Sequence, residues 1–143
     1  MNPFGESFQT SINFRGELLE KRWPDEHRVA ELIGVPRDAD PSEHVARARV
    51  EGRLLGVWSK RDRRFVYPLF QFDQHGKLRP EVAELLSILP DDDDRGGWRR
   101  AFWLYSPHAL LDGLSPAESF TSEPARVLEA ARQEFAGDQD AWW

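Results

Sequence analysis

Prolines and glycines divide this chain into short segments, and that division limits the possible folds more than any other feature of the sequence. Ten Pro and ten Gly are spread over 143 residues. Apolar residues recur at helical spacing in segments 26–33, 42–51 and 81–89, and a Gly or a Pro directly follows each segment. The pattern therefore predicts a set of short amphipathic helices.

The residues that precede these segments indicate where the helices begin. Asp25 precedes the first segment and Asp40 precedes the second, where Pro41 follows directly. An Asp before the first turn accepts hydrogen bonds from backbone N–H groups, and a Pro in the first turn has a suitable φ in advance. A less regular helical pattern over 11–20 predicts one more helix at the start of the chain.

The pattern changes between residues 54 and 72, where β-branched and aromatic residues replace the helical spacing. The run LLGVWSKRDRRFVYPLFQF places a charged centre, from Ser59 to Arg64, between two apolar arms. Such a run predicts an antiparallel hairpin. Pro68 cannot donate a backbone hydrogen bond, so the second strand should end there or lie at an edge. The sequence DQHG at 73–76 predicts a turn.

The aromatic segment that begins at Trp98 also predicts a helix. It follows residues 91–97, which we interpret as a linker because they join four Asp to two Gly. The helix should break near Ser106 and Pro107, since a residue before Pro disfavours the helical conformation.

Two further helices are predicted before the end of the chain. Ser115 stands three residues before Glu118, which is the spacing of a capping box. Ser122 and Pro124 should begin the last helix, which carries apolar residues through Phe135.

These elements predict a mainly α fold with a small β-hairpin. We divide it into a helix-turn-helix-like region at 1–75, with the hairpin as its wing, and a helical region at 76–143. A chain of 16.6 kDa with 40% hydrophobic residues is large enough to form one domain with a good core, or two small lobes.

Composition sets the expected compartment. No window approaches the roughly 18 apolar residues of a membrane span, and the N-terminus lacks the basic flank and apolar core of a signal peptide. The chain contains no Cys, which fits a reducing environment. We therefore expect a cytoplasmic protein without membrane contact.

The chain lacks the residue patterns of common active sites. Its four His are scattered without metal-ligand spacing, and the Asp run at 91–94 lacks the interleaved ligands of a calcium loop. Ser106, His108 and Asp112 lie close in sequence but on no nucleophile elbow. A Gly-rich phosphate loop is also missing. We therefore expect no catalytic residues, no metal site and no cofactor.

The net charge of -6 is unevenly distributed. Residues 47–64 are strongly basic, whereas the chain from Asp112 onward is acidic. Such asymmetry favours two partners of opposite charge, although a solvated surface with accidental clustering is the alternative.

Two helices joined by a turn and followed by a basic hairpin have the order of a winged helix-turn-helix. In such a unit the second helix lies in the major groove and the hairpin reaches the DNA backbone. The VPRDADPSE connection is longer than usual for this motif and adds acidic residues. The alternative is that the basic residues only keep the domain soluble. The predicted DNA-binding residues are His44, Arg47, Arg49, Arg53, Lys60, Arg61, Arg63 and Arg64.

Two stretches resemble a known family. The first comprises AELIGV and ARVEGRLLGVWSKRDRRFVYPLFQFDQHGKLRPEVAELLSILP, and the second is WLYSPHALLDGLSPAESF followed by a terminal helix. Together they resemble antitoxins of the Xre/MbcA/ParS kind over residues 28–135. The second stretch is similar to the family pattern W-x-x-T-P-N-P-x-L-G-G-x-T-P-x-E. His108 in place of Asn, Asp112 in place of the first Gly and Ser115 in place of Thr are departures from that pattern.

The resemblance implies a function and a partner. In this family the C-terminal helical region binds a cognate toxin, commonly a RES-domain protein that degrades NAD, and the N-terminal half represses the operon as a dimer. The residues that would contact the toxin are Trp103, Ser106, Pro107, His108, Leu111, Gly113, Ser115, Pro116 and Glu118. We add Trp142 and Trp143, because aromatic residues are frequent in binding hot spots.

Two other functions are compatible with the same sequence. One is a stand-alone DNA-binding regulator whose C-terminal half only dimerises. The other is a protein-interaction adaptor that binds no DNA. A regulator would have no toxic neighbouring gene. For an adaptor, reversing the charges of Arg61, Arg63 and Arg64 would change nothing at a promoter.

Overall fold

The computed structural model describes residues 15–36, 38–90 and 95–136. Its helices are α1 (15–19), α2 (Glu26–Ile33), α3 (Pro41–Val50), α4 (Glu81–Ile88), α5 (Trp98–Leu104), α6 (Pro116–Phe120) and α7 (Pro124–Ala131). The strands are β1 (Val57–Ser59) and β2 (Arg64–Val66). The predicted mainly α fold with a small hairpin is therefore confirmed.

The capping residues predicted for α2 and α3 occupy those positions. The Asp25 carboxylate accepts a hydrogen bond from the Arg28 N–H at 3.0 Å. The Asp40 carboxylate accepts from the N–H groups of Ser42 at 3.0 Å and Glu43 at 3.3 Å. Helix α2 ends at Gly34, whose φ of 79° lies in the left-handed region. The two helices and the turn between them form the predicted helix-turn-helix order.

The hairpin also lies where the sequence predicts it. Strands β1 and β2 pair antiparallel, with Trp58 opposite Phe65. The Ser59 hydroxyl accepts from the Asp62 N–H at 3.2 Å and donates to the Asp62 carboxylate at 3.1 Å, which closes the turn. Strand β2 ends at Val66, before Pro68.

The buried apolar residues form two clusters. The smaller cluster joins α2, α3 and the segments around the hairpin, and consists of Val29, Ala30, Val45, Ala48, Leu54, Tyr67 and Phe72. The larger cluster takes residues from both sides of the predicted boundary at 75–76, since Leu18, Trp23 and Phe70 pack with α4, α5 and α7. Leu78 packs against both clusters. The two halves of the chain therefore share an apolar core.

Three local features differ from the sequence-based expectation. Helix α7 has Glu123 as its N-cap residue instead of Ser122, and no side chain caps it. Leu114 is apolar, yet it is 49% exposed on the loop before α6. Gly96 and Gly97 do not belong to a loose linker: the position of a Cβ on Gly97 would lie 2.3 Å from the Gly56 carbonyl oxygen. The glycine pair is therefore packed against β1.

None of the described helices has both the length and the apolar character needed to cross a membrane.

Candidate functional site

The outer face of α3 is polar and exposed. Val45 and Ala48 are buried against α2, so the helical period turns Glu43, His44 and Arg47 toward solvent. Arg47 forms an ion pair with Glu43 at 3.3 Å, one turn away on the same face. This face is narrow, with one cation and one His that can reach a ligand.

Arg49 points the other way, into the interior of the helix pair. Its Nε donates to the Tyr67 hydroxyl at 3.3 Å, and its guanidinium lies 3.8 Å from the centre of the Phe65 ring. Glu26 accepts from the Tyr67 hydroxyl at 3.1 Å and pairs with Arg49 at 3.8 Å. This network of Arg49, Tyr67, Glu26 and Phe65 connects α3, the hairpin and the start of α2. Arg49 is therefore placed to hold α3, not to contact DNA.

Tyr67 can act in this network because it stays protonated. Its side chain is fully buried, and burial raises the pKa of its hydroxyl far above the ordinary value of 10.0. A neutral hydroxyl can donate to Glu26 and accept from Arg49 at the same time. The Arg49 guanidinium can only donate, and the Glu26 carboxylate can only accept.

Most cations of the basic segment have a carboxylate partner within the chain. Arg53 pairs with Glu51 at 2.7 Å, Arg61 with Asp62 at 3.3 Å, and Arg64 with Asp25 at 3.1 Å. Among the described residues, Lys60 and Arg63 of this segment have no such partner. The pair with Arg61 is the main reason why the pKa of Asp62 lies below its ordinary value. These exposed pairs contribute little to stability, so a phosphate can compete for the cation.

A groove of about 320 Å³ connects α3 with the hairpin. Ser42 at the start of α3 and Arg63 and Arg64 of the hairpin line it together with two acids, Asp25 and Glu26, and with His27, Trp58 and Phe65. Of the eight predicted DNA-binding residues, six have exposed side chains on α3 or on the hairpin, namely His44, Arg47, Lys60, Arg61, Arg63 and Arg64. Arg53 is also exposed but bonded to Glu51 by two hydrogen bonds.

Three of the residues that the resemblance assigns to toxin contact line a second concavity. It has a volume of about 290 Å³, and Trp103, Ser106, His108 and Phe135 line part of it. The rings of Trp103 and His108 lie 4.9 Å apart, and a nitrogen of His108 lies 3.0 Å from the Trp103 carbonyl oxygen. Pro107 is exposed beside them.

The loop that follows is built as a rigid connector. Asp112 and Gly113 have φ values of 58° and 84°, so both residues lie in the left-handed region, as a tight turn requires. Leu111 is fully buried beneath this turn. Arg126 of α7 fixes it from the side, since its guanidinium donates to the Asp112 carboxylate at 2.8 Å and to the Leu110 carbonyl at 3.3 Å.

The predicted capping residues of α6 lie directly after this loop. The Ser115 hydroxyl accepts from the Glu118 N–H at 3.2 Å, as predicted. Ser115 and Pro116 are buried, so they support the loop from within, whereas Glu118 is exposed. Trp142 and Trp143 lie outside the described residues.

Two further positions with distinctive surroundings were not singled out from the sequence. Gln71 is fully buried and forms hydrogen bonds with both backbone groups of Leu55 and with the Pro68 carbonyl. Trp58 is 39% exposed, whereas its strand neighbours Val57 and Ser59 are fully buried. The single amide between apolar residues in PLFQF was a usable sign of the first, but nothing in the sequence pattern marks the second.

The fold defined by these features is a mainly helical one, in which a helix-turn-helix is followed by an antiparallel hairpin and a helical C-terminal half. Among solved structures the chain is similar to the NMR structure of Rv2175c, with 28% sequence identity and a TM-score of 0.62. The match covers 79% of this chain and 82% of that chain. No protein-family model and no curated protein matches the chain. Membership of the antitoxin family therefore stays a prediction.

Proposed function

We propose that this chain is a cytoplasmic DNA-binding regulator in which α3 enters the major groove while the hairpin contacts the neighbouring backbone. The observation that carries the proposal is the groove shared by the start of α3 and by Arg63 and Arg64 of the hairpin. A recognition helix and a basic wing on one surface can contact base edges and phosphates of the same duplex.

The ion pairs reduce the binding energy that this surface gains from DNA phosphates. Because Arg47, Arg61 and Arg64 are paired with acids, free DNA phosphates must displace a carboxylate at each of them. The binding energy from phosphates is therefore smaller than the basic segment alone would give, and sequence reading by His44 and Arg47 matters more. A bidentate contact from Arg to a guanine contributes about 1–3 kcal/mol of discrimination.

The experiment measures binding of the full chain to a labelled duplex of about 30 base pairs, roughly three helical turns, from its own promoter. The double variant His44→Ala/Arg47→Ala should bind about tenfold more weakly than the wild type, which corresponds to about 1.4 kcal/mol. Arg126→Ala serves as the matched control, since it removes an exposed, acid-paired Arg from the C-terminal half. Equal affinity of the double variant and the control would refute the assignment of α3.

A second function is favoured by the concavity at Trp103 and His108. Beside it, Leu110 and Leu114 are 50% and 49% exposed on a loop that Arg126 holds in place. Exposed apolar side chains on a rigid loop suit a protein partner, since no loop ordering has to accompany binding. The resemblance implies a cognate toxin as this partner, which the chain would neutralise while acting as a homodimer.

Co-expression with the protein encoded by the neighbouring gene tests this second function. The antitoxin hypothesis requires that the neighbouring protein is toxic when expressed alone and that co-expression of this chain removes the toxicity. The two proteins should then co-purify. The variant Leu110→Asp/Leu114→Asp should lose both rescue and co-purification. Leu69→Asp is the control, because Leu69 is also 50% exposed but lies elsewhere. Toxin binding by this loop is contradicted if the neighbouring protein is harmless, or if both variants of this chain still suppress its toxicity.

A further inference from the structure

A second groove adjoins the one at α3, and Trp58 and Phe65 line both of them. It has a volume of about 580 Å³ and lies between α1, the hairpin and the turn at Gly96. Arg15, Lys60 and Arg61 line it, and none of the described residues that line it is a carboxylate. Concave surfaces with one sign of charge concentrate ligands of the opposite sign. The groove therefore favours an anion.

The aromatic wall of this groove is held in position. The Trp98 indole N–H donates to the Trp58 carbonyl at 2.9 Å, which fixes the backbone behind the Trp58 ring. The Phe65 ring packs edge-on against Trp58 with centroids 5.1 Å apart. A Cβ on Gly96 would lie 2.7 Å from the Trp58 Cβ, so this turn can approach the strand only as glycine.

Proteins that bind nucleic-acid strands often combine a cationic groove with a fixed, partly exposed aromatic ring. Bases and sugars stack on the ring, and the phosphates follow the cations. An apolar peptide would leave the charges of Arg15 and Lys60 without an anionic partner, whereas Arg61 already pairs with Asp62. Arg15 already lies 4.7 Å from the centre of the Trp98 ring, so it extends the aromatic wall as well as the positive charge.

We propose that this groove is a second nucleic-acid contact, in which Arg15 and Lys60 bind phosphates of the strand that passes the hairpin and Trp58 stacks on that strand. The inference rests on the proposed DNA-binding function. It extends the DNA surface past Trp58 and Phe65 toward α1, and it assigns Arg15 and Trp58, which the sequence did not single out.

The first test is the salt dependence of binding to the promoter duplex. In the variant Arg15→Gln/Lys60→Gln the slope of log affinity against log salt should fall by about 1.8, since each phosphate contact contributes about 0.9. The variant Arg126→Gln/Arg132→Gln removes the same charge from the C-terminal half and should leave the slope unchanged. Equal slopes in the two variants would overturn the proposal.

The second test isolates the aromatic contact. Trp58→Leu should weaken binding of a single-stranded oligothymidylate at least about fivefold, because stacking on an unpaired base contributes about 1–3 kcal/mol, and Trp58→Phe should restore part of the loss. Thermal unfolding of the variants shows whether each is folded. If the two Trp58 variants are folded and bind as tightly as the wild type, Trp58 does not contact the strand and the proposal fails.

The outcomes separate this inference from the proposed function. If His44→Ala/Arg47→Ala weakens duplex binding but the groove variants do not, the groove proposal alone fails. If only the groove variants weaken it, the groove is the DNA site and the assignment of α3 fails. A chain that binds neither the duplex nor a single-stranded oligothymidylate refutes both. Binding of an acidic aromatic peptide in place of either nucleic acid would also overturn the proposal.

Discussion

The two apolar clusters of this protein differ in size and in what supplements them. The larger cluster has twenty buried residues, including Trp98, Phe120 and several Leu, and aromatic rings pack directly on one another within it. The smaller cluster has seven buried residues, two of which are Ala. There the hydrogen bonds of Tyr67 with Arg49 and Glu26 join the elements.

This difference explains how the candidate DNA surface is held. A small core supplies little hydrophobic stabilisation, because that term scales with buried apolar area. The polar network has directional requirements that apolar contacts lack, so it sets the position of α3 relative to the hairpin. Substitutions in the larger cluster should therefore lower global stability, whereas substitutions in the network should alter the arrangement of the DNA surface at a smaller cost in stability.

The largest effect is expected at Phe120. This ring is fully buried and packs edge-on against Phe70 at 5.3 Å, so Phe120→Ala should lower the free energy of unfolding by about 3–5 kcal/mol. Urea unfolding measures the change. The control Leu110→Ala truncates a half-exposed side chain and should change it by less than about 0.5 kcal/mol. Comparable losses in the two variants would show that the larger cluster does not dominate stability.

The next largest effect is expected where the C-terminal half meets the hairpin. Gly97 has a φ of 82°, and a Cβ there would lie 2.3 Å from the Gly56 carbonyl oxygen. Gly97→Ala should therefore lower the free energy of unfolding by about 2–4 kcal/mol, from backbone strain and from the clash together. Gly113 is the matched control, because its φ is 84° and nothing lies within 4 Å of its Cβ position.

Gly113→Ala should lose only the backbone part, about 1–2 kcal/mol. The difference between the two variants in urea unfolding reports the packing of the glycine pair against β1. If the two losses are equal, this junction is loose and the hairpin is not fixed by the C-terminal half.

A smaller effect is expected from the network around Tyr67. Tyr67→Phe removes the hydroxyl that joins Arg49 to Glu26, and should lower the free energy of unfolding by about 1–2 kcal/mol. Tyr105→Phe is the control, since the Tyr105 hydroxyl forms no hydrogen bond within the described chain. Tyr67→Phe should also weaken duplex binding, whereas Tyr105→Phe should not. Unchanged binding by Tyr67→Phe would show that the network does not position α3.

The smallest effect is a pH dependence at the turn between the two clusters. Hydrogen bonds from the N–H groups of Lys77 and His75 lower the pKa of Asp73 below its ordinary value of 3.8. A carboxylate with a depressed pKa in the folded state stabilises the protein above its unfolded pKa, and this stability is lost as the pH falls through the folded pKa.

Asp73→Asn keeps an acceptor oxygen but cannot titrate, so its free energy of unfolding should fall less steeply than that of the wild type below about pH 4. Urea unfolding across this range measures the slopes. Asp38→Asn, at an exposed Asp that accepts no hydrogen bond in the described chain, is the control and should follow the wild type. Equal slopes for all three proteins would show that the turn contributes no pH dependence.

The short-range features of the fold were predictable because each depends on a few adjacent residues. Asp25, Asp40 and Ser115 cap helices as predicted, and the DQHG turn closes on Asp73. The spacing of Val82, Leu85 and Leu86 predicted the buried face of α4 correctly. Each of these features follows from hydrogen-bond geometry or helical period within one segment.

The candidate site was less predictable, because it depends on which side of each element faces another. Arg49 and Arg47 have the same side chain two positions apart, yet one lies against Tyr67 and Phe65 and the other is exposed. Leu111 and Leu114 also share a residue type, and only Leu111 is buried. Sequence spacing alone does not assign a partner to either member of these pairs.

By itself the sequence determined the succession of short helices, the hairpin and the caps, since local backbone preferences and apolar periodicity act within each segment. Only the tertiary structure decided that Gly96 and Gly97 pack against β1, that Arg49 and Arg64 pair with Glu26 and Asp25, and that Arg15 and Trp58 line one groove. These contacts join residues far apart in the chain. They depend on the packing of complete elements, which no local pattern encodes.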